Sequence, residues 1–498
     1  MPGILRPGRN CWRVVKANHL ALLIDASNYY GALLKAMKRA SRSFALIGWD
    51  LDTRMELFDT DPDEGTGPLG EFMRQLAADR PNLHSFILPW SFPILFANVR
   101  DPKLVFGKDP FQHPRIHFKM DGVHPPGGSH HQKIAIVDGT LAFAGGIDLA
   151  GGRWDTPEHL AKDLRRGKGP GAHPPTHDVQ AMLDGDAATA LAEIVNERWR
   201  RATGGVIPQT DSGSDPWPAE TAADLTDVDV AISRTDPLIS CREVEQLHLD
   251  LIADAREFLY IENQYLTSTL IVDALIRRLQ QVDGPEIVMV LPLNNHGWLE
   301  DHTVEALRFH QVRRLRKADR DRRLRICYPT VRGLRPDDED QSIVVHSKIL
   351  VSDDRFFRVG SSNLSDRSMR LDTECDLTIE AANPEQQAAI ARLRNRLVGE
   401  HLGLSEETVR DRLARDHSLI RLIDSCSEQS RCLQKLPSDG GATQILSTAI
   451  IDPPEPLTPG FVIRTLAASA ARSRWCWLLA GVVVGAVLGK LTATRLRR

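Results

Sequence analysis

Residues 130–148 read HHQKIAIVDGTLAFAGGID, and residues 345–363 read VHSKILVSDDRFFRVGSSN. Both stretches contain the pattern H-x-K-x-x-x-x-D, and the two copies lie 215 residues apart. The residues of the pattern are His131, Lys133 and Asp138 in the first copy and His346, Lys348 and Asp353 in the second. Two chance occurrences in one chain have a probability on the order of one in a thousand. The sequence therefore indicates an internal repeat.

Each copy has the pattern of a β-hairpin. An apolar run follows the lysine, a turn comes next at Asp138-Gly139 or Asp353-Asp354, and a second apolar run follows the turn. In an extended chain the histidine and the lysine, two residues apart, point to the same face, whereas the aspartate points to the opposite face. The whole motif supplies the candidate catalytic residues, but we expect Asp138 and Asp353 to stabilise their turns.

One histidine and one lysine form an incomplete site, whereas two such pairs face to face suit phosphoryl or phosphatidyl transfer. One neutral imidazole attacks phosphorus, and the other, protonated, delivers a proton to the leaving oxygen. The lysines neutralise the phosphate oxygens, so we expect no metal and no cofactor. The candidate substrate-binding residues that follow the second strands are Gly145, Gly146, Ser361 and Asn363. Asp148 stands where the second copy has Asn363, so the two halves are not equivalent.

Alternating helix and strand patterns predict an α/β fold. The patterns predict helices over 22–37, 243–255 and 270–281, and strands over 43–49, 83–88, 257–261 and 286–291. The expected architecture is two similar lobes, each with a mixed sheet flanked by helices, and one active site at their pseudo-twofold interface. The expected division is an N-terminal lobe (1–205), a linker (206–236), a C-terminal lobe (237–400), an extension of unassigned role (401–460) and a hydrophobic, basic tail (461–498).

The duplicated motif resembles that of the phospholipase D superfamily. Segments 44–57, 151–159, 260–268 and 362–377 are similar to the phosphatidylcholine-type branch, and the resemblance extends over 22–392. The resemblance implies that His131 forms a covalent phosphohistidine and that His346 is the general acid and later the base. It also implies that Lys133, Lys348 and Asn363 hold the phosphate. Asp155 and Glu374 are the candidates for carboxylates that orient the two histidines.

Composition narrows the class of protein and its partners. The chain has 498 residues, 42% hydrophobic and 26% charged, which excludes a fibrous, disordered or polytopic membrane protein. The formal net charge of −4 does not favour nucleic acid as a partner. Seven cysteines without a CxxC motif favour a reducing, cytoplasmic compartment. We expect the apolar segment 475–494, with basic flanks, to associate with a membrane; the alternative is a helix that packs on the protein or a partner.

The first hypothesis for function is a membrane-associated phospholipase D-type enzyme that releases phosphatidate from glycerophospholipids, with water or an alcohol as acceptor. A phosphatidyltransferase of the cardiolipin synthase type is the nearest alternative, and a nuclease of the same superfamily is a more distant one.

Overall fold

A computed structural model describes residues 3–58, 65–91, 108–167, 172–208, 215–294, 298–333, 339–426, 429–437, 452–461 and 464–465. The elements of the first half, in chain order, are β1 (Arg13–Ile24), α1 (Asp25–Arg39), β2 (Ser43–Gly48), α2 (Leu69–Asp79), β3 (His84–Pro89), β4 (Ile116–Phe118), β5 (Ile134–Val137), β6 (Leu141–Gly145), β7 (Thr176–His177), β8 (Val179–Leu183) and α3 (Gly185–Thr203).

The second half has a similar order of elements, with additional helices and short strands and an extension at its end. Its elements are β9 (Leu225–Asp236), β10 (Cys241–Arg242), α4 (Glu243–Asp254), β11 (Phe258–Glu262), α5 (Thr269–Leu279), β12 (Glu286–Val290), α6 (Trp298–Ala318), β13 (Leu324–Val331), β14 (Gln341–Ser342), β15 (Val344–Val345), β16 (Ile349–Ser352), β17 (Phe356–Gly360), α7 (Asp366–Arg370), β18 (Glu374–Glu380) and α8 (Pro384–Leu402). The extension contributes α9 (Glu406–Asp416), α10 (Leu419–Asp424) and β19 (Arg431–Lys435).

Most of the strands form one continuous series of pairings. The order is β4-β3-β2-β5-β6-β8-β1-β9-β18-β17-β16-β11-β12-β13-β19. The pairings β2–β3, β3–β4, β11–β12 and β12–β13 are parallel and the others are antiparallel. The order reads alike in both directions from the central β1–β9 pair, so the two halves share one mixed sheet. The predicted α/β class is confirmed.

Alternation along the strands places apolar side chains on both faces of this sheet. In β1, Leu20 and Leu22 belong to a core cluster on one face, and Ala21 and Leu23 to a second cluster on the other. The first cluster contains residues of both halves and is covered by α3 and α8. On the opposite face, α1 and α2 cover one cluster, and α4 and α5 cover another. The protein is therefore built of three layers, with the sheet between helices.

Three element boundaries differ from the sequence-based expectation. Residues 22–24 belong to β1, and the first helix begins at Asp25. A strand that is buried on both faces is apolar at every position, so its spacing does not distinguish it from the start of the helix that follows. The segment 206–236 contains β9, which pairs with β1 and β18. Helix α8 continues to Leu402, past the expected boundary at 400, and β19 adds to the sheet.

Candidate active site

The two motif histidines stand just before β5 and β16, and each is held by groups of the opposite half. The His131 backbone N–H donates to the Thr373 carbonyl (3.0 Å), and the His346 N–H donates to the His177 carbonyl (2.8 Å). His131 Nδ1 lies 3.0 Å from the Glu374 carboxylate at the start of β18. The two halves therefore complete each other at the site.

The carboxylate beside the second histidine is Asp178, which lies between β7 and β8. Its Oδ2 is 2.6 Å from His346 Nδ1, and both residues are buried. The prediction for Asp155 is therefore wrong: its carboxylate contacts His159 (2.9 Å) and Arg166 (3.2 Å) instead. Asp178 follows a histidine directly in the sequence, but no repeat marks it, since its counterpart in the second half is a glutamate.

The two motif lysines differ in their surroundings. Nζ of Lys133 donates to the His131 carbonyl (2.8 Å) and lies 3.4 Å from Asp148 Oδ2. Nζ of Lys348 donates to the His346 carbonyl in the same manner, but its side-chain neighbour is Gln264 Oε1 at 3.4 Å. Each lysine thus bonds the carbonyl of its own histidine, and both lysines lower the pKa of both histidines, so the four groups lie near one another.

The residue aligned with Asp148 is Asn363, and its Oδ1 is buried without a hydrogen-bond partner among the described residues. The backbone N–H of Asn363 donates to Ser368 Oγ (3.1 Å), which fixes its position. Because Asp148 pairs with Lys133, the first lysine has an anionic partner at the position where the second copy has the neutral amide of Asn363.

The small residues after the second hairpin strands make room for the orienting carboxylates. A Cβ at Gly146 would lie 2.0 Å from Asp178 Oδ1. At the aligned position, the hydroxyl of Ser361 donates to the Glu374 carboxylate. A Cβ at Gly145 would lie 2.6 Å from the Val179 carbonyl. The structure therefore places Gly145, Gly146 and Ser361 against the protein's own groups, where the sequence predicted contacts with substrate.

Asp138 and Asp353 lie at the hairpin turns, as their odd spacing from the histidines predicts. The Asp138 carboxylate accepts hydrogen bonds from three successive N–H groups at the start of β2, those of residues 41–43. The Asp353 carboxylate accepts from the N–H groups of residues 256–258 at the start of β11. Both aspartates have a positive φ, 52° and 54°. Each therefore ties its hairpin to the neighbouring strand, away from the imidazoles.

Burial and charge set the protonation of the site. Burial and the ammonium groups of Lys133 and Lys348 hold the pKa of His131 well below its usual range. Burial, Lys348 and Arg153 do the same to the pKa of His346. Burial raises the pKa of Glu374 well above its usual range. These shifts favour neutral imidazoles, and a bound phosphate anion would offset the lysine charges and favour a protonated imidazole.

Trp49 and Trp90 form an aromatic wall beside the first histidine. Their rings stack with centroids 5.7 Å apart, and the rings of Trp49 and His131 form a T-shaped pair with centroids 6.4 Å apart. The sequence signal for this wall was weak, since a tryptophan after a buried strand is as common in a core as in a cleft.

The described geometry defines a class of site: two imidazoles, each on a buried carboxylate, and two lysines, in a fold built of two similar halves. Residues 125–271 match the family described as "Phospholipase D", and residues 248–396 match "Cardiolipin synthase, PLD-like domain". The chain belongs to the phospholipase D superfamily.

Similar proteins support this membership. The chain is 26% identical to phospholipase D A of Dictyostelium discoideum over 79% of this chain and 36% of that protein. It is 22% identical to phospholipase D alpha 1 of Carica papaya over 75% of this chain and 63% of the relative. It thus spans less than two thirds of either relative. The crystal structure of phosphatidylserine synthase from Haemophilus influenzae Rd KW20 has the same fold, with a TM-score of 0.54, 14% identity and coverage of 83% of this chain and 96% of that one.

The expected membrane anchor at 475–494 lies outside the described residues. Within the part of the chain that the structure describes, no helix has both the length and the apolar character needed to cross a bilayer.

Proposed function

We propose that the chain is a phospholipase D-type phosphodiesterase that cleaves glycerophospholipids to phosphatidate through a covalent phosphohistidine. The observation that carries the proposal is that each half supplies the carboxylate for the histidine of the other half: Glu374 contacts His131, and Asp178 contacts His346. These contacts hold Nδ1 of both rings, so Nε2 of each histidine is the nitrogen that reacts. Two oriented imidazoles and two lysines are what a two-step displacement at phosphorus requires.

In the first step, Nε2 of His131 attacks phosphorus, and the bond from phosphorus to the headgroup oxygen breaks. The departing oxygen takes a proton from Nε2 of His346. The product is a phosphatidyl group on His131 and a free alcohol headgroup. Lys133, Lys348 and Asn363 contact the non-bridging oxygens, where negative charge accumulates.

In the second step, His346, now neutral, removes a proton from water as the water oxygen attacks phosphorus. The bond from phosphorus to His131 breaks, and phosphatidate leaves with both histidines restored. A primary alcohol can replace water in this step and give a phosphatidyl alcohol. A bilayer surface is the natural source of the substrate, and segment 475–494 is the proposed contact with it, on the cytoplasmic side.

A phosphatidyltransferase is the second candidate, because residues 248–396 match a family named for cardiolipin synthase. The same residues would act, and phosphatidylglycerol would be the acceptor in place of water. A nuclease is the third candidate, and the net charge of −4 disfavours nucleic acid as the partner.

The test is mass spectrometry of the products from vesicles of phosphatidylcholine, phosphatidylglycerol or phosphatidylethanolamine, with and without a primary alcohol. His131→Ala is compared with His310→Ala, which removes an exposed histidine of α6. We expect phosphatidate and the phosphatidyl alcohol from the wild type and His310→Ala, and neither from His131→Ala. Cardiolipin from phosphatidylglycerol would assign the transferase. Cleavage of single-stranded DNA without lipid turnover would refute the lipid substrate.

A further inference from the structure

A buried chain of histidines and carboxylates lies directly behind His346. Glu262 ends β11, His177 ends β7, and Glu400 lies in the last turns of α8. His177 Nε2 is 2.8 Å from Glu262 Oε2, and His177 Nδ1 is 2.6 Å from Glu400 Oε1. The exposed fractions of Glu262 and His177 are 0%, and that of Glu400 is 8%.

Glu262 contacts both of the chain segments that carry the pair formed by His346 and Asp178. Its Oε2 accepts a hydrogen bond from Ser347 Oγ (2.6 Å), next to His346, and it also contacts His177, next to Asp178. One carboxylate oxygen thus ties together the two chain segments whose side chains meet at 2.6 Å. The His346 N–H bond to the His177 carbonyl closes the same unit.

Further bonds hold Glu262 and Glu400 in place. The hydroxyl of Tyr260 donates to Glu262 Oε1 (2.6 Å), and His401 Nε2 lies 3.2 Å from the same oxygen. Glu400 Oε1 also lies 3.0 Å from His159 Nε2. Every acceptor oxygen of Glu262 is therefore used inside the protein, and α8 is connected to the site through side chains.

The first histidine has a different support. Gln132, aligned with Ser347, donates to the Glu374 carbonyl (3.3 Å) and lies 3.4 Å from Arg198 of α3. Arg198 is paired with Asp121 at 2.7 Å. The helix behind His131 thus supplies an arginine, whereas the helix behind His346 supplies a glutamate.

We infer that Glu262 and Glu400 are positioning residues for the proton transfers of His346. They act through His177 and Ser347, which set the distance and direction between Asp178 and His346. Misplacement of a proton donor by about 1 Å costs on the order of 10²-fold in rate. The loss falls on steps that need the donor and leaves phosphate binding by the lysines intact. This inference rests on the proposed phosphodiesterase activity.

A metal ion is the rival occupant of this cluster. Donor atoms of Asp25, His159, His177 and Glu400 lie within 4.8 Å of one another. The contacts of 2.6–3.0 Å between histidine nitrogens and Glu400 are hydrogen-bond lengths, however, and histidines alternate with carboxylates along the chain of contacts. These lengths favour direct hydrogen bonds over ligands separated by an ion.

The test uses two substrates that differ in their need for an acid. Choline leaves phosphatidylcholine as a basic alkoxide that must be protonated, whereas p-nitrophenolate leaves phosphatidyl-p-nitrophenol without help. Single-turnover release of each is measured for the full-length wild type, Glu262→Gln and Glu400→Gln. Glu286→Gln is the matched control: its carboxylate lies at the opposite end of the parallel strand β12 and binds Ser418. Circular dichroism and thermal unfolding establish that each variant is folded.

We expect the ratio of choline release to p-nitrophenolate release to fall about tenfold or more in Glu262→Gln and less in Glu400→Gln, and to stay unchanged in Glu286→Gln. An equal loss of both rates in folded Glu262→Gln would show a merely structural role and overturn the inference. A stoichiometric divalent metal in the purified wild type, measured by plasma mass spectrometry, would also overturn it. Release of neither leaving group by the wild type would refute the proposed function, and with it this inference.

Discussion

Lys348 is the cation that we expect to control substrate binding near neutral pH. Its side chain is fully buried, and burial, with Lys133 and Arg153 adding to it, lowers its pKa from 10.5 to about 7, against the opposing effect of Asp178. At about 1.4 kcal/mol per pKa unit, folding disfavours the ammonium form by about 5 kcal/mol. The neutral amine therefore becomes the main form of the free protein just above neutrality.

The direction of the pH effect follows from this lowered pKa. The ammonium form is present below pH about 7 and falls about tenfold for each further pH unit, so that about 1% remains at pH about 9. A phosphate diester binds the ammonium form, and the apparent affinity falls with the fraction of competent protein. Between pH about 7 and about 9 the Kd should therefore rise about 50-fold.

The assay is isothermal titration calorimetry with a short-chain phosphonate analogue of phosphatidylcholine, which cannot be hydrolysed. Lys348→Arg keeps its charge throughout this range, and its Kd should change less than about threefold. Lys133→Arg is the control, because Lys133 is already paired with Asp148 at 3.4 Å, and it should keep the pH dependence of the wild type.

Two results would refute this reasoning. A wild-type Kd that does not change with pH would show that Lys348 stays charged in the free protein. An equally steep rise in Lys348→Arg would assign the pH dependence to another group.

Three further predictions concern the groups around the histidines. Asp178→Asn should slow choline release about 10³-fold, because the carboxyl partner of His346 is lost. Asp229→Asn, on an exposed stretch of β9, should leave the rate unchanged. Equal rates for both variants would exclude Asp178 from the reaction. Gly146→Ala should lower kcat about 10²-fold, because the new Cβ would displace Asp178. Pre-steady-state kinetics measures the rate of the chemical step, and a wild-type rate in this variant would contradict the prediction. Asp353→Ala should lower the free energy of unfolding, measured by urea denaturation, by about 2–3 kcal/mol, because three backbone N–H groups lose their acceptor. The KM should not change. A loss of phosphonate binding instead would place Asp353 in the cleft.

The sequence alone supplied the candidate catalytic groups and the class of fold. The repeat identified His131, Lys133, His346 and Lys348 because a duplicated motif with fixed spacing is improbable by chance. Strand alternation also predicted that Asp138 and Asp353 face away from the chemistry, since residues an odd number apart lie on opposite faces of a strand. Both kinds of inference depend on local spacing, which a single chain displays.

Only the tertiary structure decided how these groups are supported. The motif around Glu374 marks that residue as a candidate, whereas no motif marks Asp178, and the sequence wrongly favours Asp155 for its role. The linker expected at 206–236 contains β9, whose pairing with β1 joins the two halves. Glu262 lies 85 positions from both His177 and Ser347, and Glu400 lies 223 positions from His177. The orientation of side chains across the interface of the two halves depends on long-range packing, and it cannot be predicted from residue spacing within either half.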